Sequence, residues 1–575
     1  MNDSSAAACR NAQQPAFLRR GTAAVAGLMI AAATAAFAPQ AQAQAAATPP
    51  NILVIMGDDI GIWNLSAYSR GSMGYRTPNI DSIAREGAIF TDHYAQPSCT
   101  AGRAAFITGQ LPIRTGLTAV GFVGAKQGIQ STDATLAEVL KAKGYATGQF
   151  GKNHLGDRNE YLPTVHGFDE FFGNLYHLNT EEEPEDVDYP TDPAFKKRHG
   201  PRGVLHCTAR KDDNPATPTD ARFGPWGAQN CEDTGPLTKK RMETVDSEFI
   251  GGAEKFMAKA KADKKPFFVW LNTTRMHVFT HAPQDYYKRC RAITSGNDPH
   301  CAGMLQHDEE VGGLLNSLKK MGLDQNTIVV YTTDNGPEHS TFPEGATTPY
   351  RSEKMTTWEG GVRVPAMIKW PGRIQPGTEL NGIQSHEDLF TSLAAAGGAA
   401  DIKERLAKGD ALGTSVVKKG FIDGVNNIDY WSGKSQESAR KNFFYYEEST
   451  LRAIRMNQWK VSFGSRDGYY GGSTTYPLPF VINLRQDPFE SYTQAPGPRA
   501  DVTQHKTWLF NGVLEQLMQH VGSLKAFPPS QKSASLDVNK LIESMVNAGA
   551  ARPPAPAAAP APAPGAAPAP APAQQ

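Results

Sequence analysis

Ile52-Leu53-Val54-Ile55-Met56, preceded by Asn51, is an unbroken apolar run that passes straight into Gly57-Asp58-Asp59. A short run without polar alternation predicts a strand buried on both faces, the kind found inside parallel sheets. Three further segments repeat the pattern. Thr327-Ile328-Val329-Val330-Tyr331 leads to Asp334-Asn335-Gly336, and Phe267-Phe268-Val269-Trp270-Leu271 leads to Asn272 and then His277. Tyr145-Ala146-Thr147-Gly148-Gln149-Phe150 leads to Gly151-Lys152-Asn153-His154. Helical patterns lie between them: Thr77-Pro78 to Glu86, with Pro at the first position and Gly87 closing it, and a second containing Leu136, Val139 and Leu140. Strands alternating with helices predict an α/β fold, a large mixed, mostly parallel sheet sandwiched by helices. Ligands of such sheets bind beyond the carboxyl ends of the strands. Four strands are therefore expected to deliver Asp-Asp, Lys-x-His, His and Asp-Asn to one edge.

A fifth segment, Pro97-Ser98-Cys99-Thr100-Ala101-Gly102-Arg103, reads as a loop entering a helix, with Ser98 as its cap and Gly109 past its end. Cys99 then lies at a helix N-terminus, and Arg103, about one turn on, faces the same pocket. The carboxylates of Asp58, Asp59 and Asp334 with the amide oxygen of Asn335 suit a hard divalent cation such as Ca²⁺ or Mg²⁺. Adjacent Asp58 and Asp59 point to opposite sides of an extended chain, so both reach one metal only if the chain turns after Gly57. Either motif alone reads as a solvated turn; their weight comes from the shared edge. Arg103, Lys152 and Lys354, with His154 and His277, make the pocket strongly positive. Such a pocket suits a compact oxyanion in sulfuryl or phosphoryl ester hydrolysis.

The chain has 575 residues and a formal net charge of zero. That length suits more than one domain, the balanced charge lacks the basic excess of a nucleic-acid binder, and no run after the N-terminal region is long enough for a stable membrane span. Residues 1–43 read as an export signal: Arg10, Arg19 and Arg20 precede an Ala-rich apolar run, and Ala41-Gln42-Ala43 is a cleavage pattern. The Arg19-Arg20 pair leaves the general secretory and twin-arginine routes both open, and the expected destination is periplasmic or secreted. Cys207 with Cys231, and Cys290 with Cys301, suit two local disulfides in an oxidising compartment better than a zinc site, since neither pair has CxxC spacing; Cys99 is left over. Residues 51–430 are expected to form a catalytic α/β domain, 435–545 a smaller α+β domain, and the Ala/Pro-rich stretch 551–575 a disordered tail. The acidic run Glu181-Glu182-Glu183-Pro184-Glu185-Asp186 reads as a solvated loop, with a second calcium site as the alternative, and His281 and His339 carry no assigned role.

Taken in order, these motifs resemble the type I sulfatase family of the alkaline-phosphatase-like superfamily, with bacterial arylsulfatases as the nearest branch. Cys99-Thr100-Ala101-Gly102-Arg103 matches the pattern Cys-x-Pro/Ala-x-Arg. The match includes Gly57-Asp58-Asp59, Gly151-Lys152-Asn153-His154-Leu155-Gly156, His277, Thr333-Asp334-Asn335-Gly336, Lys354 and Trp358-Glu359-Gly360-Gly361-Val362-Arg363-Val364-Pro365. Arg455 to Lys460 and Phe480 to Glu490 resemble the family's smaller domain. Asn153 departs from the family, which usually carries Trp there, and this bears on the pocket wall and substrate preference.

The resemblance implies hydrolysis of a sulfate monoester to an alcohol or phenol plus inorganic sulfate. It implies that a formylglycine-generating enzyme converts Cys99 to Cα-formylglycine, whose hydrate offers one hydroxyl to attack sulfur and another to expel sulfate. It further implies Asp58, Asp59, Asp334, Asn335 and the oxygen at position 99 as ligands of one divalent cation, Ca²⁺ ahead of Mg²⁺. Arg103 would favour the ionised hydroxyl, Lys152 and Lys354 would hold the sulfate oxygens, His277 would assist the leaving oxygen, and His154 would take a proton during release. A phosphonate monoester or phosphodiester hydrolase on the same scaffold is the first alternative. A binding protein without turnover is the second, and a cysteine hydrolase, which would leave the Asp-rich set without a purpose, the third.

Overall fold

The strand expected at Ile52 is β1 (Asn51–Gly57), and every residue of it is buried. The computed structural model describes residues 49–213, 220–491, 498–537 and 539, so the expected export signal and Ala/Pro tail lie outside the described residues. The other strands in chain order are β2 (Ala88–Phe90), β3 (His93–Tyr94), β4 (Ala146–Gly151), β5 (Glu170–Gly173), β6 (Leu205–Ala209), β7 (Gln229–Asp233), β8 (Phe267–Asn272) and β9 (Thr327–Thr333). They continue as β10 (Ala366–Lys369), β11 (Thr378–Leu380), β12 (Gln384–Ser385), β13 (Asn442–Glu447), β14 (Thr450–Met456), β15 (Trp459–Arg466) and β16 (Ser473–Asn483).

Ten of these form one sheet in the order β11-β2-β10-β9-β1-β8-β4-β5-β6-β7. Its centre, β9-β1-β8-β4-β5, is parallel throughout. β10 joins β9 antiparallel on one side, and β6 and β7 run antiparallel on the other. Side-chain alternation along β1 explains the unbroken apolar run. Ile52, Val54 and Met56 pack with Phe106, Leu136 and Phe390 on one face, whereas Leu53 and Ile55 pack with Ile80, Phe249 and Met304 on the other. Both faces are thus covered by helices, as the sequence predicts. Cys207 and Cys231 are bonded across the β6–β7 pair, and Cys290 and Cys301 join the helices Gln284–Thr294 and Pro299–Lys320.

β13 to β16 form a separate antiparallel sheet. The helix Leu509–Ala526 covers it through Leu509 and Val513, which meet Ile454, Val461 and Val481. Beyond that helix the chain returns to the main sheet's side of the molecule, where the amides of Ser530 and Ala534 donate to the carbonyls of Arg114 and Gly116. The seam between the two sheets is ionic and buried. Arg455 grips Asp92 with two bonds of 2.6 and 2.8 Å, and Lys460 Nζ donates to Glu490 at 2.7 Å and to the Thr357 carbonyl at 2.8 Å. Glu490 also accepts from the Glu359 amide at 2.7 Å. The small sheet therefore pins the backbone just after Lys354. Among the described residues, no helix is long and apolar enough to cross a membrane.

Candidate active site

β9, β1, β8 and β4 lie side by side, so their carboxyl ends bring Asp334-Asn335, Asp58-Asp59, Asn272 and Lys152 together in that order. The sequence points to Gly57 as the pivot that lets both aspartates reach one point. The structure corrects this: Asp59 itself turns the chain, with φ of +56°, a left-handed conformation that Asp tolerates better than most residues. Gly57 instead leaves room for Ile60, whose Cδ1 would lie 2.3 Å from a Cβ there.

The helix Cys99–Thr108 begins at Cys99 and ends at Gly109. Ser98 occupies the N-cap position but makes no capping bond, contrary to the role its sequence position suggests. Gly102 lets this helix press on the turn after β9, since a Cβ there would lie 1.8 Å from the Asp334 carbonyl oxygen. Close approach places Arg103 between three strand ends. Its Nε and Nη2 meet Asp334 Oδ2 at 2.9 and 2.7 Å, Nη1 donates to the Lys152 carbonyl at 3.2 Å, and Nη2 lies 3.6 Å from Asp58 Oδ1.

The remaining contacts tie the set together. Lys152 Nζ donates to Asp58 Oδ2 at 2.7 Å, and Lys354 Nζ donates to Asp59 Oδ2 at 2.8 Å. Asn335 Nδ2 donates to Asp59 Oδ1 at 2.7 Å, while the Asp59 amide donates to Asp334 Oδ1 at 3.2 Å. Cys99 Sγ lies 3.9 Å from Asp59 Oδ1 and is the one free cysteine among the described residues. His154 and His277 are buried beside this cluster, linked through His177, whose ring lies 5.4 Å from His154 and 5.9 Å from His277. Every site residue expected from the sequence is thus brought to one place.

Burial and crowding set the charges. Burial opposes ionisation of Asp58, but Lys152, Arg103 and Lys354 outweigh it and hold the carboxyl below its ordinary range. Burial lifts Asp59 to about 7 against the pull of Lys354, and lifts Asp334 against Arg103. Burial also pushes the Cys99 thiol up, so an unmodified Cys99 is a poor thiolate nucleophile. Both histidines are kept neutral by burial, with Lys152 adding to the effect at His154 and Lys354 at His277.

The donor set fits a hard cation. Asp58 Oδ1 and Asn335 Oδ1 are buried without a hydrogen-bond partner, and ligand atoms of Asp58, Asp59 and Cys99 all fall within 4.8 Å of one another. Buried oxygens are rarely left bare, and three crowded carboxylates gain most from a divalent ion.

Two pocket residues have no advance signal in the sequence. Glu338, three residues after Asn335, accepts from Lys354 Nζ at 3.1 Å; only its place on the turn after β9 could have marked it. His177 lies on a segment with no motif at all. His281 instead pairs with Glu182 at 2.7 Å, and the His339 amide donates to Glu353, so neither joins the cluster. Within the acidic run, Glu181 is buried and Glu182 is bound to His281; among the described residues the run forms no grouping suited to a metal.

The sulfatase family model matches residues 50–399. Arylsulfatase A of Homo sapiens is 31% identical over 477 residues, covering 78% of this chain and 84% of its own length. N-acetylgalactosamine-6-sulfatase of Canis lupus familiaris is 30% identical over 487 residues, with 78% and 82% covered. Among solved structures, the PsFucS1 sulfatase from Pseudoalteromonas sp. superposes with a TM-score of 0.71 at 26% identity, covering 84% of this chain and 92% of that one.

Proposed function

The chain belongs to the sulfatase family, and from that premise we propose how its residues divide the work of hydrolysing a sulfate monoester to an alcohol or phenol and inorganic sulfate. The observation that carries the assignment is the convergence of four strand ends on an unpaired, buried Cys99. Cys99 is the residue that a formylglycine-generating enzyme matures to Cα-formylglycine, which supplies paired hydroxyls, one to take the sulfuryl group and one to release it. Asp58, Asp59, Asp334, Asn335 and the oxygen at position 99 would hold one divalent cation, Ca²⁺ in preference to Mg²⁺ because the set is rich in carboxylates, and its charge would favour the ionised hydroxyl.

The chain's own groups do the rest. Arg103, fixed by Asp334, stands beside Asp58 and strengthens the positive field at position 99. Lys152 and Lys354, now held by Asp58 and Asp59, are the donors for the sulfate oxygens. His154, neutral and with Nδ1 unpartnered, accepts the proton when sulfate is released. The Phe279 amide approaches His277 Nδ1 at 3.5 Å, which leaves the other ring nitrogen as the N–H that assists the leaving oxygen.

The same reading takes 51–430 as the catalytic domain and 435–545 as a smaller domain whose Lys460 and Glu490 steady the Lys354 loop. The two disulfides support an exported enzyme, periplasmic or secreted. The test compares an aryl sulfate, an aryl phosphate and a phosphonate monoester with one preparation. The sulfate ester is expected to have the highest kcat/KM by at least about tenfold; dominant phosphorus-ester hydrolysis would instead favour the phosphonate monoester or phosphodiester reading.

A further inference from the structure

The pocket above Cys99 has an aromatic mouth that extends beyond the groups the reaction uses. His177, His277 and Phe279 form a row of near-parallel rings, with centroid steps of 5.9 and 6.1 Å and interplanar angles of 19° and 30°. The row starts beside the reacting centre and ends at Phe279, which is 44% exposed. The same pocket is lined by Tyr469 and Tyr470 from the turn between β15 and β16, their rings 4.7 Å apart and Tyr470 80% exposed. Large exposed rings collected at one cavity mark a contact surface rather than ordinary surface scatter.

Charge at this mouth is equally distinctive. Among the described residues that line it, Lys354 is the sole Lys or Arg, and it is already bonded to Asp59 and Glu338. His177 and His277 are neutral, and Asn179, also a lining residue, belongs to the short helix Leu178–Glu182 that opens the acidic run. Recognition of a polyanionic chain needs free Arg or Lys groups beyond the one sulfate being cleaved. The mouth offers rings and a single carboxylate, Glu338, instead.

We infer that Phe279 and Tyr470 determine leaving-group specificity, and that the alcohol half of the substrate is a flat, uncharged phenol that stacks on them rather than a polysulfated oligosaccharide. This rests on the reading that the Cys99 pocket hydrolyses sulfate esters. Each ring contributes an aromatic contact to the leaving group and none to the sulfate.

The test uses the mature enzyme and its Phe279→Ala and Tyr470→Ala variants, both at exposed positions. Calorimetric binding of 2-naphthol is expected to weaken about 5- to 10-fold in each variant, with inorganic sulfate binding unchanged, and the loss with 2-naphthyl sulfate is expected in KM rather than kcat. A heparin tetrasaccharide is expected neither to be hydrolysed nor to compete. Unchanged 2-naphthol binding in both variants, equal weakening of sulfate binding, or competition by the tetrasaccharide below the KM for 2-naphthyl sulfate would each overturn the inference. A wild-type enzyme that releases sulfate from no ester would overturn the underlying reading alone, because 2-naphthol binding reports on the mouth without turnover.

Discussion

The buried charges at the seam between the sheets and those at the carboxyl edge of the large sheet differ in what they leave unsatisfied. At the seam between the sheets, both oxygens of Asp92 are bonded by Arg455 and both oxygens of Glu359 are occupied by Tyr94, Tyr445 and Lys460. Asp92 and Glu359 are accordingly held below the ordinary carboxylate range: burial opposes this, but Arg363 and Arg455 prevail at Asp92, and Lys460 and Arg363 at Glu359. Glu490, lifted to about 7 by burial, is the exception there. At the carboxyl edge of the large sheet, cations are just as abundant, yet Asp58 Oδ1 and Asn335 Oδ1 have no partner and burial lifts Asp59 to about 7. Between these two clusters it is not the number of charges that differs but the bare oxygens, which lie at the edge.

At the carboxyl edge, one substitution should abolish turnover. Asp334→Asn keeps the shape and an oxygen for Arg103 but removes one negative charge from the cation site. Activity is expected to fall at least about 10³-fold and bound metal to be lost, while the metal-free protein melts within about 2 °C of the wild type; steady-state kinetics, elemental analysis and thermal melting check this. At the seam the effects should reverse. Arg455→Met leaves Asp92 buried with Arg485 and the more distant Arg363, and is expected to cost about 3 kcal/mol of unfolding free energy, with metal content per folded chain unchanged in denaturant titrations.

Acid should expose the same difference between seam and edge. Because the folded-state pKa of Asp92 is depressed, its contribution is complete above the unfolded value near 3.8 and is lost as pH falls through the folded value. The stability gap between wild type and Arg455→Met should therefore be constant near neutrality and narrow by about 1 kcal/mol or more below pH about 4. A gap that widens in acid would show that Asp92 is not held ionised by Arg455.

Much of this was legible in advance for a simple reason. A strand buried on both faces must be apolar throughout, so β1, β8 and β9 announce themselves, and parallel order then forces their polar termini to one edge. Asp58, Asp59, Asp334, Asn335, Lys152 and His277 follow from that rule, and Cys99 and Arg103 from the helix beside it. What escaped depends on contacts set by the whole fold. The pivot falls on Asp59 rather than Gly57, a left-handed turn that the glycine in the sequence pointed away from. Glu338 matters only because Lys354, sixteen positions later, folds back onto it. His177, Tyr469 and Tyr470 come from loops with no periodicity, and the return of Ser530 to Arg114 joins positions far apart in the chain.

In the proposed mechanism, position 99 carries the reacting group of this cluster. Mass spectrometry of the peptide containing Cys99, taken from native protein whose sulfatase activity has been measured, decides whether it does. The expected result is a residue lighter than cysteine that reacts with aldehyde-specific reagents, in proportion to the activity of the preparation. Intact, unmodified cysteine at position 99 in fully active protein would contradict it.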